Sequence, residues 1–111
     1  MYASVRKYGV DAEQVDELMK RVDTDFAARI EEMPGFVAYQ AIDAGTDRGG
    51  EARVFTVTLC HDREAADRSA EIAAEFVRDE LGHIKIERIE AATGEVSVNR
   101  AVSEVLEAAH A

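Results

Sequence analysis

The chain has 111 residues, with 13 Lys and Arg against 23 Asp and Glu, which leaves a formal charge of −10. That length supports one domain with one modest core, and the acidic balance excludes the basic patch that nucleic acid or an anionic lipid surface requires. No apolar run approaches the ~18 residues of a membrane span, no charged-then-apolar leader is visible, and the lone Cys60 can build neither an intrachain disulfide nor a multi-thiolate zinc site. A cytoplasmic protein is the expectation.

Residues 1–8 read as a strand, because Tyr2, Val5 and Tyr8 favour a pleated surface and Gly9 is the first breaker. Asp11 then opens a helix. Its carboxylate can cap backbone N–H groups, Gln14 stands where a capping box needs it, and Val10 and Val15 occupy the staple positions. Val15, Leu18, Met19, Val22, Phe26, Ile30 and Met33 follow in steps of three and four, forming one apolar helical stripe. Pro34-Gly35 stops that helix.

A second strand is predicted over 36–43, a glycine-bearing hairpin loop over 44–50, and a third strand over 51–61. The third strand has a bulky side, Phe55, Val57 and Leu59, and a smaller side, Val54, Thr56, Thr58 and Cys60. The bulky side is expected to meet the helices. Asp62 caps a second helix running to Leu81, with Gly82 as a left-handed stop. Its buried stripe is Ala65, Ala66, Ser69, Ala73, Phe76, Val77 and Leu81, with Ile72 on the border. Residues 84–89 alternate apolar and charged side chains as a strand does. Ala92-Thr93-Gly94 suggests a kink before strand character resumes over 95–98, and Ser97 or Asn99 caps a short final helix containing Val102, Val105, Leu106 and Ala109.

The order βαββαβ is that of an α+β, ferredoxin-like sheet with two helices on one face. The domain is expected over 1–98, with 99–111 as a helical extension. Helices on one side leave the other sheet face bare, and that face is expected to carry Tyr2, Ser4, Arg6 and Tyr8 beside Val54, Thr56, Thr58 and Cys60. Monomers seldom keep so large a patch, so a homodimer with two sheets packed face to face is expected. A monomer whose Thr and Tyr hydroxyls keep the face wet is the alternative.

Three segments carry a family resemblance: residues 1–8, the turn Met33-Pro34-Gly35-Phe36-Val37-Ala38-Tyr39, and the junction Cys60-His61-Asp62-Arg63-Glu64-Ala65-Ala66. Together they resemble the antibiotic-biosynthesis monooxygenase-like proteins, over roughly residues 1–98. The resemblance implies a dimeric α+β barrel with a cavity in each protomer between sheet and helices. It also implies oxidation of aromatic, polyketide or quinol-type compounds by molecular oxygen with neither metal nor flavin, related members cleaving haem. Many members carry Glu-x-Trp near the end of the third strand and a His on the second helix. Here those positions hold Thr58, Cys60 and Ser69, there is no Trp, and the only Asn is Asn99.

The candidate residues follow from that frame. His61, at a strand-to-helix junction, is the candidate general base for a phenolic proton; a solvent-facing junction histidine is the bland alternative. Tyr8, Tyr39, Phe55, Ser69 and Phe76 are the candidate ligand pocket, each also an ordinary strand or core residue. His83 reads as a loop histidine near a helix C-terminus and His110 as a terminal one. No His spacing suits a metal, the glycines at 45, 49 and 50 fit no nucleotide loop, and Ser69 has no triad partners. The expectation is a cofactor-independent monooxygenase-like protein acting on a small aromatic or polyketide-like compound. A non-catalytic small-molecule-binding or structural dimer is the alternative, and haem binding or degradation the third reading.

Overall fold

A computed structural model describes residues 1–102, which form a four-stranded antiparallel sheet with helices on one side. β1 (Tyr2–Asp11) leads through a 3-10 turn (Ala12–Gln14) into α1 (Val15–Arg21), a π-helical turn (Val22–Phe26) and α2 (Ala27–Glu31). The hairpin of β2 (Phe36–Thr46) and β3 (Glu51–Cys60) follows, then α3 (Arg63–Glu80) and β4 (Ile86–Glu95). The strand order is β2-β3-β1-β4, with every neighbouring pair antiparallel. This is the ferredoxin-like α+β fold, with β1 and β3 central.

Local chemistry accounts for the joints. The Asp11 carboxylate accepts the Glu13 N–H at 3.0 Å. Gln14 does not complete a capping box. Its side-chain amide donates to the His83 carbonyl at 3.0 Å and accepts the Lys85 N–H at 2.9 Å, and so ties the start of the first helix to the segment entering β4. α1, the π turn and α2 run on as one rod, because Val22 and Ala27 keep right-handed helical angles. Within the π turn the Thr24 hydroxyl donates back to the Lys20 carbonyl at 2.9 Å, a side-chain bond that competes with the regular helical ladder. Asp62 caps α3 by accepting the Ala65 N–H at 2.8 Å. Gly35 is required where it stands: its φ is +84°, and a Cβ there would lie 2.8 Å from the Ala65 Cβ.

Four expectations need correction. Gly82 is not left-handed; α3 ends in a turn closed by the Ile84 N–H on the Leu81 carbonyl at 3.0 Å, which needs no positive φ. β4 is one strand rather than two pieces. Its irregularity falls at Ile89, the extra residue between the pairs Lys7–Glu90 and Tyr8–Arg88, and not at residues 92–94. Gly9 lies inside β1, opposite Arg53, and does not end it. The faces of the central strands are the reverse of those expected. Val54, Thr56, Thr58 and Cys60 are buried under the helices together with Ser4, Arg6 and Tyr8, whereas Phe55, Val57 and Leu59 lie on the bare face. The physical reason is space. The small residues Ala65, Ala66, Ser69 and Ala73 let α3 approach closely, and small β3 side chains fit beneath it. The final helix expected over 99–111 lies largely outside the described residues; 96–102 have no regular structure.

The apolar stripe of the first helix is buried at Val15, Leu18, Phe26, Ile30 and Met33, and that of α3 at Ala65, Ala66, Ile72, Ala73 and Phe76. Both meet the sheet over Tyr8, Val10, Val54 and Cys60. Among the described residues no helix is long and apolar enough to cross a membrane.

Candidate functional site

β1 and β3 place a charged group in the middle of this core. Arg6 is only 2% exposed. Its Nε donates to Thr56 Oγ1 at 3.1 Å, one terminal nitrogen to Ser4 Oγ at 3.2 Å and the other to Thr58 Oγ1 at 3.1 Å. The register explains the geometry: Arg6 lies directly opposite Thr56 and Ser4 opposite Thr58, all on the helix-facing side. Every one of these acceptors is a neutral hydroxyl. Among the described residues no carboxylate comes within ion-pairing distance of Arg6, although nine ion pairs form elsewhere, Arg53 with Asp47 and Glu51 among them. A buried cation without an anion is costly.

Arg6 borders a cavity of about 40 Å³ between the sheet and the helices. Tyr8, Tyr39, Thr56 and Ala41 form its sheet side; Leu18, Met19, Val22, Phe26, Phe76 and Val77 form its helix side. Met19, Val22, Tyr39 and Ala41 also line a groove of about 450 Å³ between the first helix and β2, so these four side chains divide the cavity from an open mouth. Asp23, Glu31 and Asp43 stand along that groove. The π turn matters here, since both Val22 and Phe26 reach the cavity from it. The Phe26 ring packs on Tyr39 at 5.2 Å and on Phe76 at 5.3 Å, which fixes the aromatic wall.

Both phenols are held in their neutral form. Burial raises the pKa of Tyr8, with the fields of Arg6 and Arg88 and a side-chain hydrogen bond to Arg6 opposing. Burial raises Tyr39 further, the Arg6 field again opposing. The site therefore offers one permanent cation, two neutral phenol donors and apolar walls.

The sequence-predicted residues divide as follows. Tyr8, Tyr39 and Phe76 line the cavity. Phe55 is on the opposite face of the sheet, its ring under the Lys7 ammonium at 5.7 Å. Ser69 is buried in α3, where its hydroxyl donates to the Ala66 carbonyl at 2.6 Å. His61 is exposed and stands apart from the cavity lining; its backbone N–H donates to the Gly35 carbonyl at 2.8 Å. His83 is likewise outside it, with Nε2 3.0 Å from Glu17. Burial raises the Cys60 thiol, and Asp62 adds to the rise. Among the described residues, no group of three or more His, Cys, Asp or Glu converges as a metal site would require.

Sequence reasoning missed Arg6 because it assigned that strand parity to the bare face. The signal lay in the partner strand: Thr56 and Thr58 supply hydroxyls two residues apart on one side of β3, spaced to receive a guanidinium from β1.

No family model matches this sequence, and no curated protein matches it. Solved structures do. HapK from Hahella chejuensis superposes with a TM-score of 0.71 at 21% identity, covering 93% of this chain and all (100%) of that one. A presumed antibiotic biosynthesis monooxygenase from Bacillus cereus gives 0.62 at 16% identity, covering 91% and 95%. The fold is theirs. The haem-degrader MhuD from Mycobacterium tuberculosis gives 0.65 at 25% identity, covering 91% and 100%. The neighbours thus include antibiotic-biosynthesis-monooxygenase-like proteins, a haem degrader and dimeric ferredoxin-like proteins.

Proposed function

We propose that this protein is a homodimer that binds a small aromatic or polyketide-like compound in the cavity between its sheet and helices. The observation that carries the reading is the joining of an apolar aromatic wall, Phe26 and Phe76, to a polar end formed by Arg6, Tyr8, Tyr39 and Thr56. Ligand sites are typically apolar enclosures with few convergent polar groups. A cavity volume of about 40 Å³ is too small for an aromatic ring. Binding therefore moves Met19 and Val22 aside and joins the cavity to its 450 Å³ mouth. Dimerisation rests on the bare sheet face and on the dimeric ferredoxin-like proteins among the structural neighbours.

Cofactor-independent oxygenation is the second reading. The presumed antibiotic biosynthesis monooxygenases among the neighbours share this fold, and a cation in a cavity with mostly apolar walls stabilises the phenolate form of an aromatic, the electron-rich form that oxygen attacks. Among the described residues the cavity lining supplies no general base, because both of its phenols are pushed upward and His61 lies elsewhere. Deprotonation would then come from solvent, aided by Arg6. Haem gains less support: neither His61 nor His83 lines the cavity to serve as an axial ligand.

The test is calorimetric titration with a panel of dihydroxyaromatic compounds, in parallel with an oxygen electrode and no added metal. Saturable binding that is abolished by Ala41→Phe, which blocks the mouth at a half-buried position, is the expected result. Oxygen uptake with any bound compound selects the oxygenase reading. Binding unaffected by Ala41→Phe overturns the cavity as the site.

A further inference from the structure

The unpaired charge at the cavity's polar end specifies what the ligand must carry. Arg6 is as buried as the core residues around it, yet among the described residues its acceptors are all neutral hydroxyls, those of Ser4, Thr56 and Thr58 with that of Tyr8 beside them. A guanidinium has five N–H donors and a permanent charge, so hydrogen bonds to Ser4, Thr56 and Thr58 orient it without neutralising it. The two tyrosines beside it do not supply the anion either, since burial holds their protons on. Arg88 adds to the positive field at Tyr8. In a chain whose net charge is −10, an acidic partner for Arg6 would have been easy to place; here the described acids stay outside, with Asp23, Glu31 and Asp43 on the groove.

We infer that the ligand is a flat, apolar molecule bearing one oxyanion, a carboxylate or an ionised phenol or enol, whose charged oxygen sits against the Arg6 guanidinium with the Tyr8 and Tyr39 hydroxyls beside it. The inference rests on the cavity being the binding site. It adds that the site selects charge as well as shape. The protein's own hydroxyls hold the guanidinium in place before the ligand arrives, so little reorganisation is needed on binding. The acids at the mouth do not reverse the preference. They are solvent-exposed and screened within ~8–10 Å in physiological salt, whereas Arg6 acts at contact distance in a cavity with mostly apolar walls. They slow the approach of an anion, so its association rate rises with added salt.

One matched pair of probes and one coloured phenol test this. Benzoate and benzamide share a shape and differ in charge, and calorimetry against the full chain compares them directly. 4-Nitrophenol is coloured only when ionised, so a spectrophotometric titration reads the protonation state of the bound molecule and separates the phenol source of the oxyanion from the carboxylate one. Benzoate is expected to bind about tenfold to a hundredfold more tightly than benzamide. Bound 4-nitrophenol is expected to ionise at a pH lower by about 1–3 than free. Arg6→Gln abolishes both preferences, and Arg6→Lys retains part of them. If Arg6→Gln does not fold, as judged by circular dichroism, the native protein's choice between benzoate and benzamide decides alone. Equal affinity for the pair overturns the charge inference and leaves the cavity as a binding site. Benzoate held equally well by Ala41→Phe lies elsewhere and overturns it too. If neither probe is held at millimolar concentration, the site and the inference fall together.

Discussion

Removing one hydroxyl from the Arg6 cluster tests how much that arrangement contributes to the fold. Thr58→Val is nearly isosteric, but it strips Arg6 of one acceptor where no water can replace it easily, since Thr58 is fully buried. The expected cost is about 1.5–3 kcal/mol in urea denaturation, the range for a hydrogen bond to a charged group; Thr58→Ser restores most of it. Tyr39 gives a pH signature. Burial raises its folded-state pKa above the unfolded value. Above about pH 10 the unfolded chain releases that proton while the folded chain keeps it. The unfolded state then binds fewer protons, and stability falls with rising pH; below the unfolded value the contribution is fully present. Urea midpoints followed from about pH 8 to about pH 11 should therefore decline more steeply in the native protein than in Tyr39→Phe. Equal slopes would mean that Tyr39 reaches solvent.

At the scale of elements, local signals were readable where a residue acts on its own neighbours. Asp62 and Asp11 cap helix starts as their chemistry requires, and the steps of three and four from Val15 to Met33 place the buried side of the first helix. Pairing across the chain was less legible. Gln14 fits a capping box by spacing, yet it bonds residues 83 and 85, whose proximity arises only when β4 adds to the sheet. The orientation of β1 and β3 failed for a related reason. A period of two defines two faces, but β3 alternates Phe-Val-Leu with Val-Thr-Thr-Cys, and neither side is polar enough to be assigned to solvent. Tyr39 and Phe76 could be placed among the walls of one cavity from residue type and position; Tyr8 was named for the pocket by residue type although its strand parity was assigned to the bare face, and Arg6, of the same parity, was missed because a buried arginine contradicts every average. Gln14→Ala measures the cross-chain tie. It should cost about 0.5–1.5 kcal/mol and accelerate hydrogen exchange at the Lys85 amide, while the amides of α3 stay protected. Unchanged exchange at Lys85 would show that β4 is held by its ladder with β1 alone.

For the whole molecule, reversing the faces strengthens the case for a second copy. The bare face carries Val5, Phe55, Val57, Leu59 and Ile42 rather than the hydroxyls and tyrosines expected there, and Val5 and Ile42 remain 39% and 44% exposed. Val57 stands near the middle of this surface, with Val5 on one side and Gln40 on the other. A glutamate at position 57 in an isolated protomer would project into water and cost little. Between two apposed sheets it would be buried without a partner, a penalty of several kcal/mol for each copy. Val57→Glu should consequently leave the far-ultraviolet circular dichroism intact and convert the sedimenting species from two chains to one. The cavity is on the other side of the sheet, so benzoate binding should survive dissociation. A native chain that already sediments singly at micromolar concentration would remove the dimer from this account, while leaving Arg6 and its cavity as they stand.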